Sequence, residues 1–246
     1  MISRSILLIQ AGTPPDDVRL PHGDFPSWFS SALGREFGIA QVVRVFEGEP
    51  LPQPDPNRVA VITGSWAMVT DKLPWSETTA QWIREAMAVG MPLFGVCYGH
   101  QLMAHALGGR VDYHAQGREV GCQTIRLLPA AIDDALFASW PTTFAAHLMH
   151  EQSIVELPRG ARALASSDHD PYQIVRYGPN AISAQFHPEF TPQISEACIR
   201  RCAGALLAEG KNPDELVGNL QDTQEARQLL RQFVENACLR AVTASC

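Results

Sequence analysis

The stretch Pro92-Leu93-Phe94-Gly95-Val96-Cys97-Tyr98-Gly99-His100-Gln101 combines an apolar strand that ends at Val96 with a helix that begins at Tyr98. Cys97 stands alone between them, with a glycine two residues before it and another two residues after it. This is the pattern of a nucleophile elbow with Cys in place of Ser, a turn so sharp that only glycine lets the neighbouring backbones approach. The stretch therefore predicts a strand–turn–helix unit of an α/β sheet, with its nucleophile at the carboxyl edge.

Apolar strands alternate with helical patterns on the amino-terminal side of this stretch. Because continuous apolar strands separated by helices imply a parallel sheet covered on both faces, we expect an α/β fold of three layers. The predicted strands are Ser5–Gln10, Gln41–Phe46, Arg58–Thr63 and Pro92–Val96. The predicted helices are Pro26–Phe37, Glu77–Val89 with Ser76 as its cap, and Tyr98–Leu107, which Gly108 and Gly109 terminate.

From Arg110 onward the pattern changes to strand-like pieces with turn residues between them, which predicts a small antiparallel extension of the mostly parallel sheet. These pieces are Arg110–His114, Val120–Leu128, Thr143–Met149, Tyr172–Tyr177 and Ala181–Phe186. Helical patterns follow at Thr191–Glu209 and Gln221–Arg240. The sequence has no internal repeat, so we expect a single domain over residues 1–246, with its core at about 5–190 and a helical extension at 191–246.

The last helices contain two amphipathic segments, Ile194–Leu207 and Ala226–Leu239. The apolar face of an amphipathic helix is normally buried against the protein core or against a partner. The sequence leaves two readings open, in which these faces pack on the sheet or form the interface of a homodimer or another partner.

Composition narrows the class of protein. Of 246 residues, 46% are hydrophobic and 18% are charged, so the chain can bury a substantial core. The net charge of −7 and the absence of a basic run argue against binding to nucleic acid or to an anionic membrane. No stretch has the ~18 consecutive apolar residues of a membrane span.

The apolar run Ile6–Ile9 is too short for a signal peptide and predicts a buried first strand, hence a cytoplasmic protein. Six cysteines form no CxxC pair, so neither a disulfide framework nor a zinc site is expected.

A second motif gives Cys97 its chemical context. Gln185-Phe186-His187-Pro188-Glu189 ends another apolar strand, which places His187 at the same sheet edge as Cys97 if the two strands are parallel neighbours. A thiol with an ordinary pKa near ~8.5 is little ionised at neutral pH, and a histidine beside it can take its proton. Glu189, two residues further on, can orient the imidazole and stabilise its charged form.

The start of the helix adds two effects at the same place. The partial positive charge at a helix amino terminus favours the thiolate of Cys97, and the backbone N–H of Tyr98 can donate a hydrogen bond to an oxyanion. Together the motifs predict a cysteine nucleophile that attacks an amide carbonyl.

These residues resemble the class I glutamine amidotransferases, in a stand-alone form similar to the glutaminase domain of GMP synthases. The resemblance rests on Gly95–Gln101, Gln185–Glu189, the turn Ile62-Thr63-Gly64-Ser65 and the segment His147–Ala165, and it covers about residues 5–190. It implies a flavodoxin-like fold and a Cys-His-Glu triad of Cys97, His187 and Glu189. It also implies an oxyanion hole from Gly64, Ser65 and Tyr98, and substrate contacts from Gln101, His150 and Glu151.

The implied reaction is attack of the Cys97 thiolate on the side-chain amide of glutamine, loss of ammonia, and hydrolysis of a γ-glutamyl thioester to glutamate. No cofactor is expected. His147, His150 and Glu151 are better interpreted as strand and pocket-wall residues than as metal ligands.

Two departures from the family pattern keep the substrate open. Met149-His150-Glu151-Gln152 stands where many relatives have Ser-His-Gly-Asp, and Trp66 follows the Gly64 turn where relatives have proline. Either change could fit a γ-glutamyl peptide or γ-glutamyl amine, so a hydrolase of such compounds is the alternative function, and a catalytically silent binding relative is a second alternative. Residues 191–246 are too few and too helical for a synthetase domain, so either a separate synthetase accepts the ammonia or none is needed.

Overall fold

A computed structural model describes residues 5–34 and 36–243. Residues 1–4, position 35 within the predicted helix Pro26–Phe37, and residues 244–246 with Cys246 lie outside this description. The strands are β1 (Ser5–Gln10), β2 (Ile39–Arg44), β3 (Arg58–Ile62), β4 (Leu93–Val96), β5 (Arg110–Tyr113), β6 (Glu119–Leu127), β7 (Thr143–His150), β8 (Gln152–Glu156), β9 (Arg162–Ser166), β10 (Ile174–Gly178) and β11 (Ala181–Ala184). The helices are α1 (Asp16–His22), α2 (Phe25–Leu33), α3 (Pro74–Ala88), α4 (Tyr98–Ala106), α5 (Pro192–Arg201), α6 (Ala203–Ala208), α7 (Pro213–Gly218) and α8 (Gln224–Thr243).

One mixed sheet runs through the described part of the chain, in the order β2-β1-β3-β4-β11-β10-β9-β6-β7. The first five strands in this order pair in parallel, and the remaining pairs are antiparallel. Strands β5 and β8 form a separate antiparallel pair. The predicted α/β fold, a mostly parallel sheet with an antiparallel extension, is thereby confirmed.

Side chains of the parallel strands alternate between two buried layers. Ile6 and Leu8 of β1 pack with α2 and α8, whereas Leu7 and Ile9 pack with α3 and α4. Burial of each such side chain contributes roughly 1.5–3 kcal/mol to folding. Helices therefore cover both faces of the parallel part of the sheet, as the three-layer prediction requires.

The strand predictions need two corrections. Ala181–Phe186 was predicted with the antiparallel pieces, but β11 pairs in parallel with β4 and extends the parallel part. Strands β8 and β9 were not predicted. A single residue separates Gln152–Glu156 from β7, and Arg162–Ser166 contains no β-branched or aromatic residue that would mark a strand.

The helix predictions also need correction. Helix α3 begins at Pro74, where proline suits the first helical position, so Ser76 is not its cap. Ser76 is instead fully buried, and its hydroxyl shares a 2.6 Å hydrogen bond with the phenol of Tyr98. The predicted helix Thr191–Glu209 is divided at Cys202 into α5 and α6, and α1 and α7 were not predicted.

Helix α8 of the carboxyl-terminal extension packs on one face of the sheet. Leu229, Leu230, Phe233 and Val234 of α8 belong to the core cluster that covers one sheet face. The alternative of a dimer interface stays a prediction, as does the single domain over residues 1–246. In the described ranges no helix combines the length and the apolar composition that crossing a membrane demands.

Candidate active site

Cys97 occupies the turn between β4 and α4 in a backbone conformation that is uncommon outside glycine. Its φ is 50° and its ψ is −99°, which places a side-chain-bearing residue in a strained region. The flanking glycines are sterically required. A Cβ at position 95 would lie 2.6 Å from the carbonyl oxygen of Gly99, and a Cβ at position 99 would lie 2.5 Å from that of Ile62. The sequence prediction of a sharp elbow at Cys97 is confirmed in its geometry.

Sheet pairing brings the second motif to the same edge. Strands β4 and β11 run in parallel with Val96 opposite Ala184, and the Cys97 N–H donates to the Ala184 carbonyl at 2.9 Å. His187 follows the end of β11 by three residues. The parallel neighbours on which the sequence argument depended are therefore present.

The imidazole of His187 is held on two sides. Its Nδ1 is 2.8 Å from Oε1 of Glu189, whose side chain is fully buried, and the ring of Phe190 stacks on it at 4.0 Å between centroids. Its backbone N–H donates to the His147 carbonyl at 2.9 Å. Because Nδ1 faces the carboxylate, Nε2 is the ring nitrogen left for Cys97.

The electrostatics of His187 favour a protonated ring. Burial lowers the pKa of His187, but the Glu189 carboxylate and then Cys97 raise it more strongly, to about 10. At neutral pH the imidazolium is the expected form, and it places a positive charge beside the sulfur of Cys97.

The predicted oxyanion residues lie next to these groups. A Cβ at Gly64 would be 3.1 Å from Cε1 of His187 and 3.7 Å from Cβ of Cys97, so the backbone of this turn faces both side chains. The Ser65 hydroxyl accepts a hydrogen bond from the Ala67 N–H at 3.0 Å, which fixes the turn. Tyr98 is the first residue of α4, where an N–H has no acceptor within the helix.

The three residues predicted to contact substrate, Gln101, His150 and Glu151, line the same cleft. Two of them already hydrogen-bond to other residues of the protein. Gln101 donates from Nε2 to the Gln152 carbonyl at 2.6 Å and to the Gln185 side chain at 3.0 Å. The ring nitrogens of His150 lie 3.0 Å from the Gln152 carbonyl and 2.9 Å from Glu119. Glu151 is more exposed, and its carboxylate faces the cleft.

The cleft has a volume of about 420 Å³. Besides the predicted residues it is lined by aromatic and charged side chains that sequence reasoning did not single out: Asp17, Phe25, Arg118, Phe190 and Arg201. Arg118 Nη2 lies 3.2 Å from the Glu151 carboxylate, and its Nε donates to Glu209 at 2.6 Å. No local motif marks these arginines, although Arg118 directly precedes Glu119, the partner of His150.

Metal-ligating side chains do not cluster in the described ranges, where no three His, Cys, Asp or Glu residues are placed to hold an ion.

Comparison with known proteins relates this chain to one protein family. Residues 55–202 match the family model "Glutamine amidotransferase class-I". The chain is 23% identical over 223 residues to Gamma-glutamyl peptidase 5 of Arabidopsis thaliana, with 89% of each chain covered. It is 36% identical over 129 residues to the glutamine-hydrolyzing GMP synthase of Thermomicrobium roseum, which spans 52% of this chain but 23% of that protein.

A solved structure shares the whole architecture. The crystal structure of a glutamine amidotransferase from Thermotoga maritima superposes with a TM-score of 0.76, at 21% identity, over 96% of this chain and 98% of that one.

Proposed function

The chain belongs to the class I glutamine amidotransferase family, and from that membership we propose that it is an amidohydrolase that cleaves the side-chain amide of glutamine through Cys97, His187 and Glu189. The observation that carries the proposal is the placement of His187, which lies between the strained elbow of Cys97 and the buried carboxylate of Glu189. The products are glutamate and ammonia, released through a γ-glutamyl thioester.

The first step uses the charge state of the site. With the proton on His187, Cys97 attacks as a thiolate, helped by the partial positive charge at the start of α4. The sulfur forms a bond to the γ-carbon, and the carbonyl electron pair moves to oxygen. The N–H of Tyr98 and the backbone of Gly64 and Ser65 stabilise that oxyanion.

The tetrahedral intermediate then collapses with loss of ammonia, which takes its proton from Nε2 of His187. His187, now neutral, removes a proton from water, and the hydroxide attacks the thioester carbon. The carbon–sulfur bond breaks, glutamate leaves, and the proton remains on His187. Glu189 keeps the ring oriented and its charged form stable throughout.

The site must also recognise the α-ammonium and the α-carboxylate at the amino-acid end of the substrate. The ion pair of Arg118 and Glu151 supplies a complementary charge for each within the same cleft. Gln101 adds its Oε1, because its Nε2 is already committed to Gln152 and Gln185. His150 acts by holding the segment around Glu151 in place through its bonds to Glu119 and Gln152.

A second candidate function is hydrolysis of γ-glutamyl peptides or γ-glutamyl amines by the same residues. The volume of about 420 Å³ supports it, since sites of ~300–1,000 Å³ enclose drug-sized ligands. Gamma-glutamyl peptidase 5 matches over 89% of its own length, whereas the GMP synthase match spans 23% of that protein.

The test is glutamate release from glutamine and from γ-glutamyl dipeptides by the wild type, Cys97→Ala and, as a control, Cys122→Ala. Cys122 is a free, half-buried thiol that does not line the cleft. We expect turnover by the wild type and the control, and a loss of at least about 10³-fold in Cys97→Ala. Glutamate release that survives Cys97→Ala would contradict the role of Cys97 as nucleophile. No turnover of any γ-glutamyl compound would leave the silent binding relative as the better account.

Glutamine amidotransferase domains often act with a synthetase subunit, and a separate synthetase that takes up the ammonia is the partner we propose if glutamine is the preferred substrate. The cytoplasm is the proposed compartment, because a reducing environment preserves the thiols of Cys97, Cys198 and Cys202 in the cleft.

A further inference from the structure

An ion pair at the cleft has no role in the reaction described so far. Arg201, the last residue of α5, donates from Nη1 to both carboxylate oxygens of Asp17 on α1. Both residues line the cleft that contains Cys97, and their side chains are 43% and 55% exposed. Solvent screens an exposed pair of this kind, which contributes little to stability, so a ligand can share it at little cost.

The pair lines the same cleft as His187, at the opposite end of α5 from the residue that stacks on the His187 ring. Phe190, which stacks on the His187 ring, immediately precedes the Thr191 cap of α5. The buried thiol of Cys198, one turn before Arg201, also lines the cleft. Burial and Cys202 raise the pKa of Cys198 to about 12, Glu189 and Asp17 add to the effect, and Arg201 opposes it.

A leaving group larger than ammonia needs room in this cleft. Since His187 gives its proton to the departing nitrogen, any substituent on that nitrogen projects past His187. Ammonia carries no substituent and needs no subsite. The wall here nevertheless contains the aromatic rings of Phe25 and Phe190 and a guanidinium group.

We propose that Arg201 binds the carboxylate of an amino acid or short peptide whose amino group is joined to the γ-carbonyl, so that this wall is a leaving-group subsite. The inference rests on the proposed γ-glutamyl chemistry and selects its peptide form. The bonds to Asp17 come from Nη1, so Nε and Nη2 stay available to a second carboxylate.

The charges of the cleft agree with such a substrate. A γ-glutamyl amino acid has one ammonium and two carboxylates, whereas glutamine has one of each. The cleft is lined by two carboxylates, Asp17 and Glu151, and two guanidinium groups. Glu151 would bind the ammonium, Arg118 the α-carboxylate, and Arg201, which shares its charge with Asp17, the carboxylate of the leaving group.

The test compares kcat/KM for γ-glutamylalanine and for γ-glutamylalaninamide, which lacks only the leaving-group carboxylate. We expect the wild type to prefer the acid by about tenfold, as a partly exposed charge-assisted hydrogen bond allows. Arg201→Gln is expected to bring the ratio close to one, and Arg201→Lys to keep part of it. Arg200→Gln is the matched control, because Arg200 is the adjacent residue but pairs with Asp214 and Glu196 and does not line the cleft.

Several outcomes would overturn the inference. Equal kcat/KM for the two dipeptides in the wild type, or an unchanged ratio in a folded Arg201→Gln variant, removes Arg201 from substrate recognition. Hydrolysis of glutamine without hydrolysis of either dipeptide excludes the peptide subsite while the proposed amidohydrolase stands. If none of the three compounds is hydrolysed, the proposed function is contradicted, and the inference with it.

Discussion

At the scale of single residues, the proposed chemistry depends on the charge of His187. Glu189 and Cys97 raise its pKa against the effect of burial, to about 10, so the ring holds its proton at neutral pH. The same interaction affects stability. The folded pKa of His187 lies above the unfolded value of 6.5. The contribution of this interaction to the stability of the folded protein is therefore complete below pH 6.5 and is lost as the pH rises through about 10.

Glu189→Gln tests this role. Without the carboxylate, burial still disfavours the imidazolium, so we expect the pKa of His187 to fall and the alkaline limb of the kcat/KM profile to move down by roughly one pH unit or more. The rate should fall by about 10²–10⁴-fold, as it does when a triad carboxylate is replaced by its amide. A pH–rate profile of Glu189→Gln with the alkaline limb of the wild type would contradict the assignment.

How far the site could be predicted also differs residue by residue. Cys97, His187 and Glu189 stand in local motifs whose strand and helix context the sequence reveals. Arg118 and Arg201 reach the cleft only through packing of β6 and α5, contacts between segments far apart in the chain, so no local pattern could mark them.

At the scale of elements, the elbow depends on close contact of three backbones, those of β3, β4 and α4. Gly95 and Gly99 make this contact possible, since a Cβ at either position would come within 2.6 Å of a carbonyl oxygen. The sequence predicted this unit well because the glycine spacing is a local signal. Helix α1 was missed because it contains Pro21 and buries only Val18, which gives no apolar period.

Gly99→Ala should therefore destabilise the fold. We expect the free energy of unfolding in urea to fall by about 1–3 kcal/mol, the usual cost of overpacking. Gly204→Ala is the matched control within α6, where a Cβ would meet nothing within 4 Å. Since alanine favours the helix, this variant should be neutral or gain up to about 1 kcal/mol. Equal effects of the two substitutions would show that the elbow is less tightly packed than described.

At the scale of the whole molecule, folding buries histidines that serve as neutral structural groups. Burial lowers the pKa of His100 to about 3 and that of His147 to about 4. Below pH 6.5 the unfolded chain takes up protons at these positions while the folded protein does not. Stability must therefore decrease as the pH falls from 6.5 towards these values.

Between pH 6.5 and 5 the expected slope averages about 1 kcal/mol of unfolding free energy per pH unit for each of the two histidines, because the unfolded side chain is only half protonated at pH 6.5. Urea unfolding between roughly pH 6.5 and 5 avoids most carboxylate titration. In that window His147→Leu should remove about 1 kcal/mol per pH unit from the slope, whatever its effect on stability at pH 7. A slope identical to that of the wild type would mean that His147 is protonated in the folded protein.

The central claim is that Cys97 is the nucleophile for a γ-glutamyl carbonyl, and covalent labelling tests it most directly. The reagent is a glutamine analogue in which a chloromethyl ketone replaces the side-chain amide, with intact mass and peptide mapping as the readout. We predict incorporation of one reagent molecule on Cys97, in step with loss of activity and slowed by glutamine. Inactivation with the label on Cys198 or Cys202, the other thiols of the cleft, or no labelling of an enzyme that hydrolyses glutamine, would contradict the account.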